Sequence, residues 1–346
     1  MDEEKQPMDE DGRDAIIISK VDIMKLADVY MLMKTDMIKI EKEIERSVKA
    51  DHPILKEASL HLLQAGGKRI RPIFVMLSGK FGDYNIDRLK HIAAALELIH
   101  MASLVHDDVI DDAELRRGKK TIKAKWDNRT AMFTGDYIFA KAVEQASFFK
   151  DKDIHTVLSK SMAEICVGEI EQIRDQYNWD QHLKTYLRRI KRKTASLIAI
   201  SCQLGALAAD ASRQDQLRLF RYGYNVGMSY QIIDDILDFT GTEEELGKPA
   251  GGDLLQGNVT LPVLYAMCED ESLKHEIHQF LSTNEREQQD ITSVLDRVKS
   301  SGGIEYAHSL SKRYLQKAYD ALEMLPDIPA KKSLHQIAKY IGGRNY

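Results

Sequence analysis

The chain has 346 residues, 43% of them apolar and 30% charged, which excludes a disordered, collagen-like or low-complexity protein. The net charge of −5 resides in the first 14 residues, with seven acids and two bases, so the remainder is neutral and has no global basic face for nucleic acid. Cys166, Cys202 and Cys268 stand far apart without a CxxC, which argues against a zinc site or a disulfide framework and for a reducing, cytoplasmic setting.

In chain order, residues 1–18 read as a disordered acidic tail, and 19–346 as a single all-α domain. The N-terminus lacks the apolar core of a secretory signal. The longest mostly apolar stretch, Leu197–Ala209, is 13 residues, too short to span a membrane. No proline occurs between Pro72 and Pro249, and the intervening residues are rich in Ala, Leu, Ile, Lys, Arg and Glu. Proline costs a helix interior ~3 kcal/mol, so this stretch permits long helices. Apolar residues recur three and four apart, as at Ile92, Leu96 and Ile99, and no run alternates as a strand would. Glycines at 66–67, 82, 241 and 247–252 punctuate about a dozen helices, which predicts a helical bundle.

The motifs follow in the same order. Gly66-Gly67-Lys68-Arg69-Ile70-Arg71-Pro72 joins flexible glycines to cations that suit phosphate oxygens. It is not a P-loop, and alone it reads as a solvated basic turn. His100 lies two turns before Asp107 on roughly the same helical face. Asp107-Asp108-Val109-Ile110-Asp111 is a DDxxD, and Asp234-Asp235-Ile236-Leu237-Asp238 repeats it 127 residues later. On a helix the first and last acids of each motif share a face about one turn (~5.4 Å) apart, where like charges repel. The middle acids, Asp108 and Asp235, lie about 100° round the helix, available for supporting contacts. A cation would relieve the repulsion. With no His or Cys among the ligands, Mg²⁺ is the natural choice, and it completes its shell with waters and phosphate oxygens. One DDxxD is as readily a solvated acidic turn. Two, both in apolar surroundings and accompanied by Arg116-Arg117-Gly118, Lys193-Thr194 and Gly247-Lys248-Pro249, point to a diphosphate held between metal clusters.

These motifs, with Glu97–Gly118, Gln231–Asp238 and Gly247–Pro262, resemble the trans-isoprenyl diphosphate synthase family in order and spacing. The resemblance implies an all-α bundle around a deep central cavity, and Mg²⁺-dependent head-to-tail condensation of isopentenyl diphosphate onto an allylic diphosphate. It implies that Asp107, Asp111, Asp234 and Asp238 hold up to three Mg²⁺, and that Asp107, Asp111, Asp234 and Lys193 are catalytic. Arg116, Lys193, Thr194, Gln231 and Lys248 would hold the allylic diphosphate, and Lys68, Arg71, His100 and Arg117 isopentenyl diphosphate. Asn258 stands where many short-chain members carry Lys and is not included. The stretch from Gly241 to Ala266 and the closing residues 340–346 resemble long-chain members that form the catalytic half of a heterodimer. They imply a small non-catalytic partner (a homodimer being the alternative), a C35 product from farnesyl diphosphate for a menaquinone side chain, and transient membrane contact through that lipid. Small residues before the first motif suggest a chain-length floor at Ala102, Ile99 and Ala95. Rival readings are a short-chain farnesyl or geranylgeranyl synthase, a class I terpene cyclase, and a non-catalytic regulatory subunit. Two intact acidic motifs and the Lys68/Arg71 segment argue against the last two.

Overall fold

A computed structural model describes residues 26–241, 250–282 and 291–344. The predicted all-α architecture is present. The helices are α1 (Leu26–Ser47), α2 (Pro53–Gln64), α3 (Ile70–Gly79), α4 (Ile86–Ile110), α5 (Ile122–Lys125), α6 (Asn128–Ala146), α7 (Lys152–Asp175), α8 (Leu183–Ile190), α9 (Ser196–Ala208) and α10 (Arg213–Thr240). After them come α11 (Gly252–Leu255), α12 (Leu261–Glu269), α13 (Glu271–Ser282), α14 (Thr292–Ser300), α15 (Gly303–Glu323) and α16 (Pro329–Gly342). The acidic tail at 1–18 and the Gly247-Lys248-Pro249 segment lie outside the described residues.

The two longest helices, α4 and α10, carry the acidic motifs. Each begins on a side-chain cap that satisfies otherwise orphaned backbone N–H groups. Asn85 accepts from the N–H groups of Asp87 and Arg88, and Ser212 from that of Asp215. Every residue of α9 is buried, because α3, α4 and α10 all pack on it. A helix apolar on all sides needs such enclosure. One apolar cluster runs along α4 as far as Val105 and takes in Phe74, Leu96 and Tyr222. A second follows α10 from Met228 to Phe239 and includes Tyr186 and Leu261.

Backbones approach closely where glycine allows it. A Cβ on Gly205 of α9 would lie 2.3 Å from the Val75 carbonyl oxygen of α3. On Gly227 of α10 it would lie 2.6 Å from the Ala195 Cα, which binds the segment before α9 tightly to the second acidic helix.

Two features depart from a plain bundle. Leu115–Arg116 (β1) and Lys119–Lys120 (β2) form a minimal antiparallel hairpin. Its turn residues Arg117 and Gly118 both have positive φ, +54° and +74°, as a tight two-residue connection of matching twist requires. Between α8 and α9, Lys191–Ala195 forms a turn of π-helix. Such wide turns often occur at functional sites. Among the described residues, no helix is long and apolar enough to cross a membrane.

Gly205→Ala is expected to destabilise the protein by ~1–3 kcal/mol through overpacking of α9 against α3. Urea unfolding followed by circular dichroism measures it, and an unchanged midpoint would show that the two helices can separate freely.

Candidate active site

Two chambers of about 580 and 670 Å³ meet in the middle of the bundle. They share the walls formed by Leu104, Asp107, Arg116, Lys193, Tyr230, Gln231 and Asp234. The first chamber is acidic, with Asp111, Asp238 and Asp253 joining the shared aspartates. The second is basic at one end, where Lys68, Arg69, Arg71, His100 and Arg117 lie, and apolar where Ile165, Leu197 and Ile198 face it.

The last turn of α4 sets the first acidic cluster. The Asp111 N–H donates to the Asp107 carbonyl at 2.8 Å, so the helical spacing of the two acids survives to the helix end. Burial, and then the charge of Glu169 from α7, push the Asp107 carboxyl up to about 7. Its buried Oδ1 has no hydrogen-bond partner. A buried, unsatisfied carboxylate oxygen beside further carboxylates is a fitting ligand for a hard cation. At the second cluster, burial raises Asp234, and Arg344 just beyond α16 opposes the shift by donating from Nη1 to Oδ1 at 2.6 Å. The Arg344 guanidinium also lies 4.8 Å from the Tyr230 ring centroid. The Asp253 N–H donates to Asp238 Oδ2 at 3.2 Å. Among the described residues, no three acidic, His or Cys side chains form a ready metal cage. Paired carboxylates suit a cation that draws the rest of its shell from water and substrate phosphate.

The middle aspartates organise neighbours, Asp108 from outside both chambers and Asp235 from the wall of the first. Asp108 Oδ1 accepts from Arg116, with both Nε and Nη2 at 2.7 Å, and so fixes the hairpin arginine over the site. Asp235 accepts from Tyr186 of α8 and from Gln231. The π turn swings Lys193 and Thr194 onto the cavity wall. There the Lys193 Nζ donates to Gln172 Oε1 at 3.0 Å and Thr194 Oγ1 to Gln231 Oε1 at 2.6 Å.

The basic end is held by its own ion pairs. Arg69, left-handed at φ 46°, donates to Glu41 at 2.7 Å and to buried Glu97 at 3.2 Å. It is thereby committed to structure, while Lys68 and Arg71 flank it on the wall. Arg117 donates to the Gly66 carbonyl and so ties the hairpin to the Gly66–Pro72 segment. Burial, and then the field of Arg71, Arg117, Arg116 and Arg69, hold His100 well below its ordinary value. It is therefore a neutral imidazole in a cationic chamber.

Of the residues singled out by sequence, Lys68, Arg71, His100, Asp107, Asp111, Arg116, Arg117, Lys193, Thr194, Gln231, Asp234 and Asp238 all line the two chambers, and Lys248 lies outside the described residues. The suggested floor residues lie outside both chamber linings. Ala95, Ile99 and Ala102 are fully buried, and none lines either chamber. At about 100° per residue they point roughly 120°, 80° and 140° away from Asp107, whereas His100, Ser103 and Leu104 point within about 60° of it. The α4 residues on the wall of the second chamber are Glu97, His100, Ser103, Leu104 and Asp107. Sequence reasoning missed Glu169, Gln172, Tyr186, Tyr230 and Arg344. Glu169 and Gln172, three apart on α7, could have been noted as a shared polar face. The Arg344 contact spans 110 positions and leaves no local signal.

Residues 52–298 match the polyprenyl synthetase family. The chain belongs to that family. It is 57% identical to heptaprenyl diphosphate synthase component 2 of Bacillus subtilis over 326 residues, covering 94% of this chain and 93% of that protein. The crystal structure of heptaprenyl diphosphate synthase from Staphylococcus aureus superposes with a TM-score of 0.86 at 42% identity, covering 91% of this chain and 99% of that one. A Caulobacter crescentus polyprenyl synthase, crystallised with calcium and isoprenyl diphosphate, also gives 0.86, at 30% identity, over 92% of this chain and 98% of that one. The protein is a trans-prenyltransferase.

The Arg344–Asp234 contact places a fixed cation on one of the carboxylates that the sequence marks as a metal ligand. Arg344→Ala is expected to lower the Mg²⁺ concentration for half-maximal thermal stabilisation by roughly threefold to tenfold, the worth of about one exposed-to-buried ion pair. A melting series in Mg²⁺ reads this, and an unmoved midpoint concentration would show that the arginine does not compete.

Proposed function

We propose that this trans-prenyltransferase is the catalytic subunit of a heptaprenyl diphosphate synthase. It adds isopentenyl diphosphate units to farnesyl diphosphate, giving a C35 all-trans product for a menaquinone side chain. The observation that carries the reading is one continuous cavity with two acidic clusters at one end, a cluster of cations at the other and an apolar recess beside them. The high identity to a protein called component 2 supports a separate, small, non-catalytic partner, with a homodimer as the alternative assembly. The protein works in the cytoplasm as one prenyltransferase domain over residues 19–346, and meets the membrane only through its product.

Asp107 and Asp111 face Asp234 and Asp238 across the first chamber and are the ligands for up to three Mg²⁺. When bound, those ions neutralise the charge that develops on the departing pyrophosphate. Arg116, Lys193, Thr194, Gln231 and, from the segment outside the described residues, Lys248 orient the allylic diphosphate. Lys193 and Arg116 are the cations nearest the first cluster and stabilise negative charge as the allylic C–O bond breaks. Lys68, Arg71, Arg117 and neutral His100 hold the second diphosphate, which places its double bond beside the allylic carbon. The His100 ring donates to phosphate without adding a further buried charge. Ile165, Leu197, Ile198 and Leu104 exclude water from the cation. The proton lost after condensation passes to the released pyrophosphate, so the site needs no dedicated protein base. The tail of the growing chain extends into the recess past Ser103 and Leu104.

Product chromatography with labelled isopentenyl diphosphate and farnesyl diphosphate, with and without a candidate partner, tests the reading. Full C35 output is expected only with the partner. C15 or C20 products from the chain alone would instead support a short-chain synthase.

The acidic clusters and the basic end should separate kinetically. Asp107→Ala and Asp234→Ala are each expected to lower kcat by about 10³-fold or more with helical content retained, since removing mutually repelling carboxylates does not harm a helix. Lys68→Ala or Arg71→Ala should raise KM for isopentenyl diphosphate about tenfold more than KM for the allylic substrate, as loss of a charge-assisted contact predicts. Initial-rate kinetics with each substrate varied in turn decide both, and an opposite bias would reverse the assignment of the two diphosphate sites.

A further inference from the structure

Thr194 and Gln231 do not stand alone on the cavity wall. They are the outer end of a hydrogen-bond relay that runs inward to a tyrosine out of reach of any substrate. Thr194 Oγ1 donates to Gln231 Oε1 at 2.6 Å, Gln231 Nε2 donates to Asp235 Oδ1 at 2.9 Å, and the Tyr186 hydroxyl donates to Asp235 Oδ2 at 2.7 Å. Tyr186 is completely buried and lines neither chamber. The relay connects α8, α10 and the π turn.

Its directionality matters. A glutamine amide can present either its oxygen or its nitrogen, and the two orientations differ by a flip of the side-chain terminus. Asp235, an acceptor on both oxygens, holds the Gln231 nitrogen towards itself. One of the two amide hydrogens goes to Asp235, and the other remains for an acceptor in the cavity. The flipped amide would set its carbonyl oxygen against the carboxylate and could not donate to a phosphate from that position. Asp235 can impose this order only while its own carboxylate is fixed. One oxygen is engaged by Gln231, and Tyr186 supplies the hydrogen bond that holds the other. The arrangement parallels the first motif, where the middle aspartate locks the Arg116 guanidinium directly, with no third residue.

We propose that Tyr186 is a positioning residue for the allylic diphosphate, acting through Asp235 on the amide orientation of Gln231 and the hydroxyl of Thr194. The inference rests on the assignment of Thr194 and Gln231 to the allylic site above. Removing the tyrosine hydroxyl frees one side of the Asp235 carboxylate and lets the Gln231 amide sample the orientation that repels phosphate. The isopentenyl site at Lys68, Arg71 and Arg117 shares no hydrogen bond with this relay.

The test is steady-state kinetics of Tyr186→Phe in the assembly that supports turnover, with farnesyl diphosphate and isopentenyl diphosphate varied separately. KM for farnesyl diphosphate is expected to rise about tenfold, with KM for isopentenyl diphosphate within twofold and kcat within about threefold. Tyr222→Phe is the control. Tyr222 is equally buried, and its hydroxyl donates to the Leu334 carbonyl at 2.6 Å, remote from both chambers. It should lose comparable thermal stability and change neither KM. If Tyr186→Phe does not fold, Asp235→Asn breaks the same relay and should give the same allylic-selective rise. Equal rises in both KM values, or a loss of stability with both KM values unchanged, would overturn the proposal. Thr194→Ala and Gln231→Ala separate the two levels of the argument. If neither raises KM for farnesyl diphosphate, the allylic assignment itself fails. If both do and Tyr186→Phe does not, only the positioning role fails.

Discussion

Like charges placed deliberately close together in a poorly hydrated cavity are the constraint on which the rest of this protein depends. Asp107 and Asp111 share one helical face, and burial, with the field of Glu169 from α7 and of Asp111 added to it, pushes Asp107 up to about 7. In an isolated helix that spacing of like charges costs about 0.2–0.5 kcal/mol. It persists because α4 is anchored along its whole length by apolar packing, up to Val105 just before the motif. The second cluster is stabilised differently, by the guanidinium of Arg344 and by backbone donors from the segment after α10. The scaffold thus stores a demand for cations at one end of the cavity and a demand for anions at the other. A metal–diphosphate assembly meets both at once.

Division of labour within each DDxxD follows from the same geometry. The outer acids line the cavity, and the middle acid, about 100° round, hydrogen-bonds a neighbour, although Asp235 also reaches the wall of the first chamber. Asp108 fixes an arginine and Asp235 an amide.

Much of this was legible in the chain. Local spacing gives the helical class, the outer acids and the basic segments, because all of these are properties of residues within one or two turns of each other. What depends on the direction of a side chain around a long helix was less legible. The expected floor at Ala95, Ile99 and Ala102 was counted in residues back from Asp107; His100 and Ser103, one position along, line the second chamber, and those three residues do not. Contacts between distant segments left no trace. Arg344 with Asp234 and Tyr186 with Asp235 join parts of the chain that only the packing of α10 brings together. The two-residue hairpin escaped notice because a strand of that length has no periodicity to read. In hindsight its Arg117-Gly118 pair is the one signal it offers.

The π turn at Lys191–Ala195 carries a consequence for how this enzyme can change. A π turn is in effect a helix with one residue too many, and it is retained here between two helices that are each locked in place, α8 by Tyr186 and α9 by complete burial. Deleting a single residue from it would restore regular helical winding but rotate everything on one side by about 100° relative to the other. Either Lys193 and Thr194 would leave the wall, or thirteen buried residues of α9 would turn their faces out of register with α3 and α10. The segment is therefore intolerant of changes in length. Insertions and deletions among descendants of this chain should accumulate in the connections around it and spare those five positions.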